Sequence, residues 1–262
     1  MVNTDAMNSD SLLTQAWQRR PFDKLRRKWG VVPAGDSRLL TKQLVDLPDT
    51  ELKELWERVR VTATSGSAFE IRGWYHLLYA DVLRDKQVMD FGCGLGIDGI
   101  TFAQHGTRIT FVDIVESNLI VVQRLCKLLG LQNVDFLYMR DIDSLSNLGS
   151  GYEVIWCQGS LINAPFYLIR EEAQELLRHL KPDGRWIELA YPKGRWEREG
   201  RLPFDQWGEH TDGAGTPWVE WYDLSKLRAA LEPAEFEVVL YFEFHNGDFN
   251  WFDLKRRTCA KP

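Results

Sequence analysis

Long apolar stretches are missing from this 262-residue chain. No run approaches the about 18 apolar residues that a membrane-spanning helix needs, and the start, MVNTDAMNSD, has neither the basic stretch nor the apolar core of an export signal. The expectation is a soluble, cytoplasmic protein with no membrane partner. Cysteine is scarce: Cys93, Cys126, Cys157 and Cys259 stand far apart, with no CxxC pair and no Cys/His cluster. That argues against structural zinc, any other metal centre of that kind and a disulfide-stapled domain, and leaves reduced thiols. Excess positive charge is absent too. A net charge of -6 offers no electrostatic reason to bind nucleic acid. Internal repeats and low-complexity tracts are likewise missing. What remains, 44% hydrophobic and 27% charged residues, is the composition of a globular chain long enough to bury a core.

Residues 1 to 85 read as an N-terminal helical cap. Within it, LLTQAWQRRPFDKLRRKWG carries a basic run, Arg19 to Lys28, but 13 Lys+Arg against 12 Asp+Glu up to Asp85 make the segment near neutral, so the run reads as a solvated helix face. DTELKELWER (Asp49 to Arg58) has an acidic first turn and Leu52, Leu55 and Trp56 at helical spacing. A third helix is expected over Glu70 to Arg84 with Trp74, Leu77, Leu78 and Val82 on its packed side.

From residue 86 to 262 the texture changes. KQVMDF, RITFVDI, VDFLYM, YEVIWC and GRWIELAY alternate with helical patterns such as ESNLIVVQRLCKLLG and REEAQELLRHL, which is the signature of βαβ units and a doubly wound, mostly parallel α/β sheet. LKPDG stops the last of those helices and turns the chain into a strand. EFEVVLYFEF and DFNWFDLKRR, separated by HNG, form a terminal antiparallel hairpin. One connection is disproportionate: residues 192–222 hold five Gly, three Pro and four of the eleven Trp up to Trp221. Long connections of this kind serve as lids or binding loops, and this composition suggests a movable wall.

The chemistry concentrates at strand ends. In VMDFGCGLG an apolar strand ends in Asp90 and runs into a G-x-G-x-G turn at the crevice where open α/β sheets bind ligands. A dinucleotide fold prefers glycine at the sixth position, which here is Ile97, and Asp90 would repel a pyrophosphate. A cofactor bearing an ammonium and a positive centre suits Asp90 better. Asp113, at the end of RITFVDI, stands where a carboxylate accepts from both ribose hydroxyls of an adenosine moiety, and Asp141 stands where one accepts from the adenine amino group.

Through VMDFGCGLG, TFVDI, RDIDSL, YEVIWCQGSL and LKPDGRWIEL with its terminal hairpin, the chain resembles the class I S-adenosylmethionine-dependent methyltransferases over roughly residues 70 to 258. The resemblance implies a seven-stranded sheet of order 3-2-1-4-5-7-6 with strand 7 antiparallel, and S-adenosyl-L-methionine as cofactor, released as S-adenosyl-L-homocysteine. It further implies that Gly92, Cys93 and Gly94 line the methionine portion through their backbone, with Asp90 toward the ammonium. Asp113 would hold the ribose, Ile114 cover an adenine face, Asp141 and Ile142 meet the adenine edge, and Gln158 lie near the methionine backbone.

In EIRGWYHLL, Arg72 is a candidate partner for the cofactor carboxylate and Trp74 for stacking near the sulfonium, with a surface ion pair and plain helix packing as the alternatives. Candidate groups for acid–base work are Glu188, Tyr191, His210 and Asp212, the last two on the flexible GEHTDGAGTPW stretch. The expected acceptor is a compact, partly apolar small molecule, a secondary metabolite or sugar intermediate, methylated at O or N without a metal; a peptide clamped by the Trp-rich loop is the rival reading. A dinucleotide-dependent oxidoreductase would keep the Asp113 contact but prefers glycine at the sixth position, where this chain has Ile97.

Overall fold

A computed structural model describes residues 22–32 and 39–258. The polar start, the first part of the basic run with Arg19 and Arg20, and Cys259 lie outside the described residues. The described part of α1 is residues 22–29. After a 3-10 turn at Thr41–Asp46 come α2 (Asp49–Thr64), a π turn at Phe69–Gly73 and α3 (Trp74–Val82). Then strands and helices alternate: β1 (Gln87–Phe91), α4 (Ile97–Gln104), β2 (Arg108–Asp113), α5 (Glu116–Leu128), β3 (Val134–Tyr138), β4 (Tyr152–Gln158), α6 (Phe166–His179) and β5 (Leu180–Pro192). The chain closes with α7 (Lys193–Arg198), α8 (Phe204–Asp212), β6 (Trp221–Tyr222), α9 (Leu224–Leu231), β7 (Phe236–Phe244) and β8 (Phe249–Arg256).

The sheet order is β3-β2-β1-β4-β5-β8-β7, with two-residue β6 beside the end of β5. Without β6 this is the expected 3-2-1-4-5-7-6 order. The strand from Phe249 to Arg256 runs antiparallel to both neighbours. Alternation along β1 puts Val88 into one core with α2 to α5, and Met89 and Phe91 into the other with α1, α6 and α9. Helix α6 stops at His179, and the chain bulges before pairing Val154 with Arg185, with Asp183 at φ +66.

One expectation is corrected. The third helix is shorter, and its packed side carries Tyr75, His76 and Tyr79, while Leu77, Leu78 and Val82 are exposed. The aromatic rings bury more area against Trp156 and Trp251 than the aliphatic stripe would, and their polar atoms find partners there. The 192–222 connection, expected as a lid or binding loop, holds two helices and a strand. Its indoles serve as internal ties: Trp196 donates to the Leu202 carbonyl (2.8 Å), Trp207 to Glu199 (2.6 Å) and Trp218 to Glu220 (2.9 Å). Trp207 is fully buried.

Candidate active site

Every parallel strand delivers its carboxyl end to one edge of the sheet, and the turn after β1 occupies the middle of that edge. Gly92, Gly94 and Gly96 take φ of +75, +53 and +67, a region that side-chain-bearing residues avoid. A Cβ on Gly92 would overlap Ser160, whereas nothing lies within 4 Å of one on Gly94. The first glycine therefore makes the turn possible against β4, and the second faces open space.

That space is a cleft in two compartments of about 300 and 310 Å³, which share Arg72, Gly92, Gly94, Leu95 and Gln158. The first includes Asp113, Ile114, Asn118 and Met139 on its wall and runs on to Ser160, Asn163 and Glu172. The second includes Asp90, Cys93 and Asp98. Asp113 is held rigidly: Oδ1 accepts from Val115 N (2.7 Å), and Oδ2 from Gly94 N (2.8 Å) and Asn118 Nδ2 (3.4 Å). Burial raises its pKa against those bonds. Burial, then the neighbouring Asp98 and Asp113, pushes Asp90 well above the ordinary carboxylate range. Asp98 goes the other way. Burial alone would raise it, but the Arg72 guanidinium and the bonds from His76 and Trp156 outweigh that and hold it ionised. His76 Nε2 is 2.8 Å and Trp156 Nε1 3.1 Å from its oxygens.

Among the described residues, some buried polar atoms around the cleft lack partners: Asp90 Oδ2, Asn118 Oδ1 and both amide atoms of Gln158. Such atoms cost free energy unless a ligand engages them.

The structure brings Arg72, Asp90, Gly92, Cys93, Gly94, Asp113, Ile114 and Gln158 to this cleft. It does not bring Asp141 or Ile142 to its wall, where Met139 stands; Asp141 caps the Ile142–Asn147 turn, accepting from Ser144 N (3.0 Å) and Oγ (2.7 Å). Trp74 sits 4.8 Å from Trp251 and 5.3 Å from Phe242, ring to ring, between α3 and the terminal hairpin, so helix packing is where it is found. Among the acid–base candidates, Tyr191 and Asp212 meet: the phenol donates to Asp212 Oδ1 (2.5 Å), and Asn163, on the cleft wall, donates to Oδ2 (3.2 Å). His210 stands apart from them, its side chain 55% exposed and 3.7 Å from Glu199. Glu188 is buried away from the cleft, accepting from Trp186 Nε1 (2.7 Å).

Sequence reasoning expected an N-terminal cap but missed Asp98, Glu172 and the cap residues that roof the cleft. Phe22, Leu25 and Trp29 of α1 lie along the first compartment. Arg26 anchors α1 to the Arg140 carbonyl (2.7 Å), and Lys28 donates to the carbonyls of Asp212 (2.9 Å), Gly213 (3.3 Å) and Ala214 (3.0 Å) after α8. Glu172 had a readable signal, a lone carboxylate among Leu168, Ile169, Ala173 and Leu176 on the buried stripe of α6.

The sequence profile of the methyltransferase domain family matches residues 68–241. The chain belongs to that family. No curated protein sequence matches the chain. Among solved structures, this methyltransferase is similar to a candidate O-methyltransferase from Nostoc punctiforme (16% identity, TM-score 0.56, 75% of this chain and 60% of that one). It thus spans about three fifths of that protein's length. It is also similar to the 1,6-didemethyltoxoflavin-N1-methyltransferase of Burkholderia thailandensis (18%, 0.54, 80% and 87%) and to the magnesium protoporphyrin IX methyltransferase of Synechocystis (19%, 0.54, 95% and 100%). At these identities the likeness is one of fold. The methyltransferase uses S-adenosylmethionine, and the cleft fits it: a glycine cradle open at Gly94, unpartnered Asp90 and Gln158 atoms on the side of the second compartment, and an apolar wall at Ile114 and Met139.

Proposed function

We propose that the enzyme transfers the methyl group of S-adenosylmethionine to an oxygen or nitrogen of a compact, partly apolar small molecule held beneath α1 and the 192–222 insert. The observation that carries this reading is the continuation of the cofactor cleft past Gln158 to Ser160, Asn163 and Glu172 under an aromatic and aliphatic roof. Two of the structural neighbours are themselves named for small-molecule acceptors.

When bound, the cofactor supplies an electrophilic methyl on sulfur. The chain supplies placement, and positioning at about 3 to 3.5 Å between reacting atoms accounts for much of such a rate. In this reading Asp113 holds the ribose hydroxyls, Asp90 receives the ammonium and Arg72 the carboxylate, with Gln158 between the compartments. The pinned α1 closes the cleft from above, which favours a compact acceptor over an extended peptide and keeps bulk water from the reacting atoms. Asp212, polarised by Tyr191 and Asn163, stands behind the acceptor end.

Calorimetry with S-adenosylhomocysteine tests the cofactor half. The wild type binds, and Asp113→Ala weakens binding by at least about 1 kcal/mol through lost ribose hydrogen bonds; unchanged affinity in the variant would remove Asp113 from the site.

A further inference from the structure

Seven carboxylates are buried among the described residues: Asp90, Asp98, Asp113, Glu172, Glu188, Glu220 and Asp253. Five accept a hydrogen bond on the protein, and Asp90, whose Oδ2 has no partner among the described residues, faces the second compartment. Asp98 takes His76 and Trp156, and Asp113 takes Gly94 and Val115. Glu188 takes Trp186, Glu220 takes Trp218 and Lys226, and Asp253 takes Tyr79 and Arg185. Glu172, only 6% exposed, has no hydrogen bond or ion pair among the described residues, and it lines the first compartment.

Among the described residues, its surroundings offer no counter-charge. Arg72 is the basic side chain on that wall, and it is paired with Asp98 at 3.4 Å. Lys28 and Arg26 of the roof are committed to carbonyls of α8 and Arg140. The groups that sense Glu172 are acidic or neutral: Glu171 beside it on α6, Cys157 of β4, and Tyr222 of β6, which also faces Glu188 and Glu220. Burial, reinforced by Glu171, pushes Glu172 up to about 8. Most of the wall around it is apolar, with Phe22, Leu25, Trp29 and Phe91. An unpaired carboxyl costs free energy there unless a ligand brings the missing cation.

Building on the methyltransferase reading above, we propose that the acceptor is an amine with an apolar body and that Glu172 is the residue that pairs with its ammonium group and takes its proton. The ionised carboxylate binds the ammonium and receives one N–H proton. The freed nitrogen lone pair forms the new N–C bond while the S–C pair stays on sulfur. The products are an N-methylammonium, the thioether S-adenosylhomocysteine and neutral Glu172, which returns its proton to solvent.

The test uses the whole enzyme saturated with S-adenosylhomocysteine, titrated with phenethylamine and with phenethyl alcohol as probes in two buffers of different ionisation enthalpy. The amine is expected to bind at least tenfold more tightly than the alcohol and to release close to one proton at pH 7, because a carboxyl held near 8 must ionise to receive it. Glu172→Gln should lose both the preference and the proton release while binding S-adenosylhomocysteine within twofold of wild type, and Glu172→Asp should recover part of the preference. In parallel, trideuteromethyl transfer to a panel of amines and isosteric alcohols and phenols should favour amines tenfold, with that advantage lost in Glu172→Gln. Equal binding of the two probes, failure of the amine to bind, or amine methylation untouched by Glu172→Gln overturns the proposal. Failure of the wild type to bind S-adenosylhomocysteine falls on the cofactor reading instead.

Discussion

A buried carboxyl takes its charge from the donors that reach it. Asp98, met by Arg72, His76 and Trp156, stays ionised; Glu188, met by one indole, is pushed up to about 8. The second case has a measurable sign. Below the ordinary value of 4.5, native and unfolded chains both hold the proton. Above it the unfolded chain ionises first, so native stability falls by about 1.4 kcal/mol per pH unit for this group until its native value is passed. Urea midpoints measured from pH 5 to 8 should therefore decline less steeply in Glu188→Gln than in wild type; parallel curves would show that Glu188 ionises normally in the folded protein. Asp113 belongs to the same scale. Its donors orient it before any ligand arrives, which is why its truncation should be read as lost binding together with a loosened Gly94 turn.

At the scale of elements, the roof is made by long-range ties. Helix α1 contributes Lys28 to three carbonyls around the end of α8, a favourable place for a cation because the helix dipole leaves negative charge there. Lys28→Met should cost about 1 kcal/mol and raise amide hydrogen exchange across residues 208–216, along with the dissociation rate of S-adenosylhomocysteine. Unaltered exchange in that stretch would show that α8 holds itself. The insert was readable only as a disproportionate, Gly- and Trp-rich connection; that the indoles tie it internally to Leu202, Glu199 and Glu220 was not. Composition reports which residues are present but not which carbonyl or carboxylate an indole will find.

Across the whole molecule, one buried junction joins the helical N-terminal part to the last strand. Asp253 is fully buried and accepts from Tyr79 of α3 (2.6 Å) and from Arg185 of β5 (2.8 Å at Nε), while Trp251 donates to the Tyr79 hydroxyl (3.1 Å). Asp253→Ala leaves the guanidinium and the phenol without their acceptor, and breaking such a pair costs about 3 kcal/mol or more. The urea midpoint should fall accordingly, with a single transition retained. A loss below about 0.5 kcal/mol, the scale of a surface change, would mean that the two parts are held by apolar contact alone.

The amino-acid sequence by itself determined where the strands lie and the cofactor turn, because both are written in short-range terms: alternation of apolar residues within a strand, and glycines where φ must be positive; the order of the strands followed only from the resemblance to the family. Asp90 and Asp113 were legible for the same reason, each being the last residue or nearly the last of a strand whose end the pattern marks. Tertiary structure alone decided what gathers past Gln158, the end proposed for the acceptor. Trp29, Asn163, Glu172 and Asp212 come from α1, the loop after β4, α6 and α8, and no spacing along the chain encodes their meeting. Whether Tyr75 or Leu78 faces inward, and whether His210 or Asp212 turns toward the cleft, depends on which partner across the fold offers the larger buried area and the matching hydrogen bond.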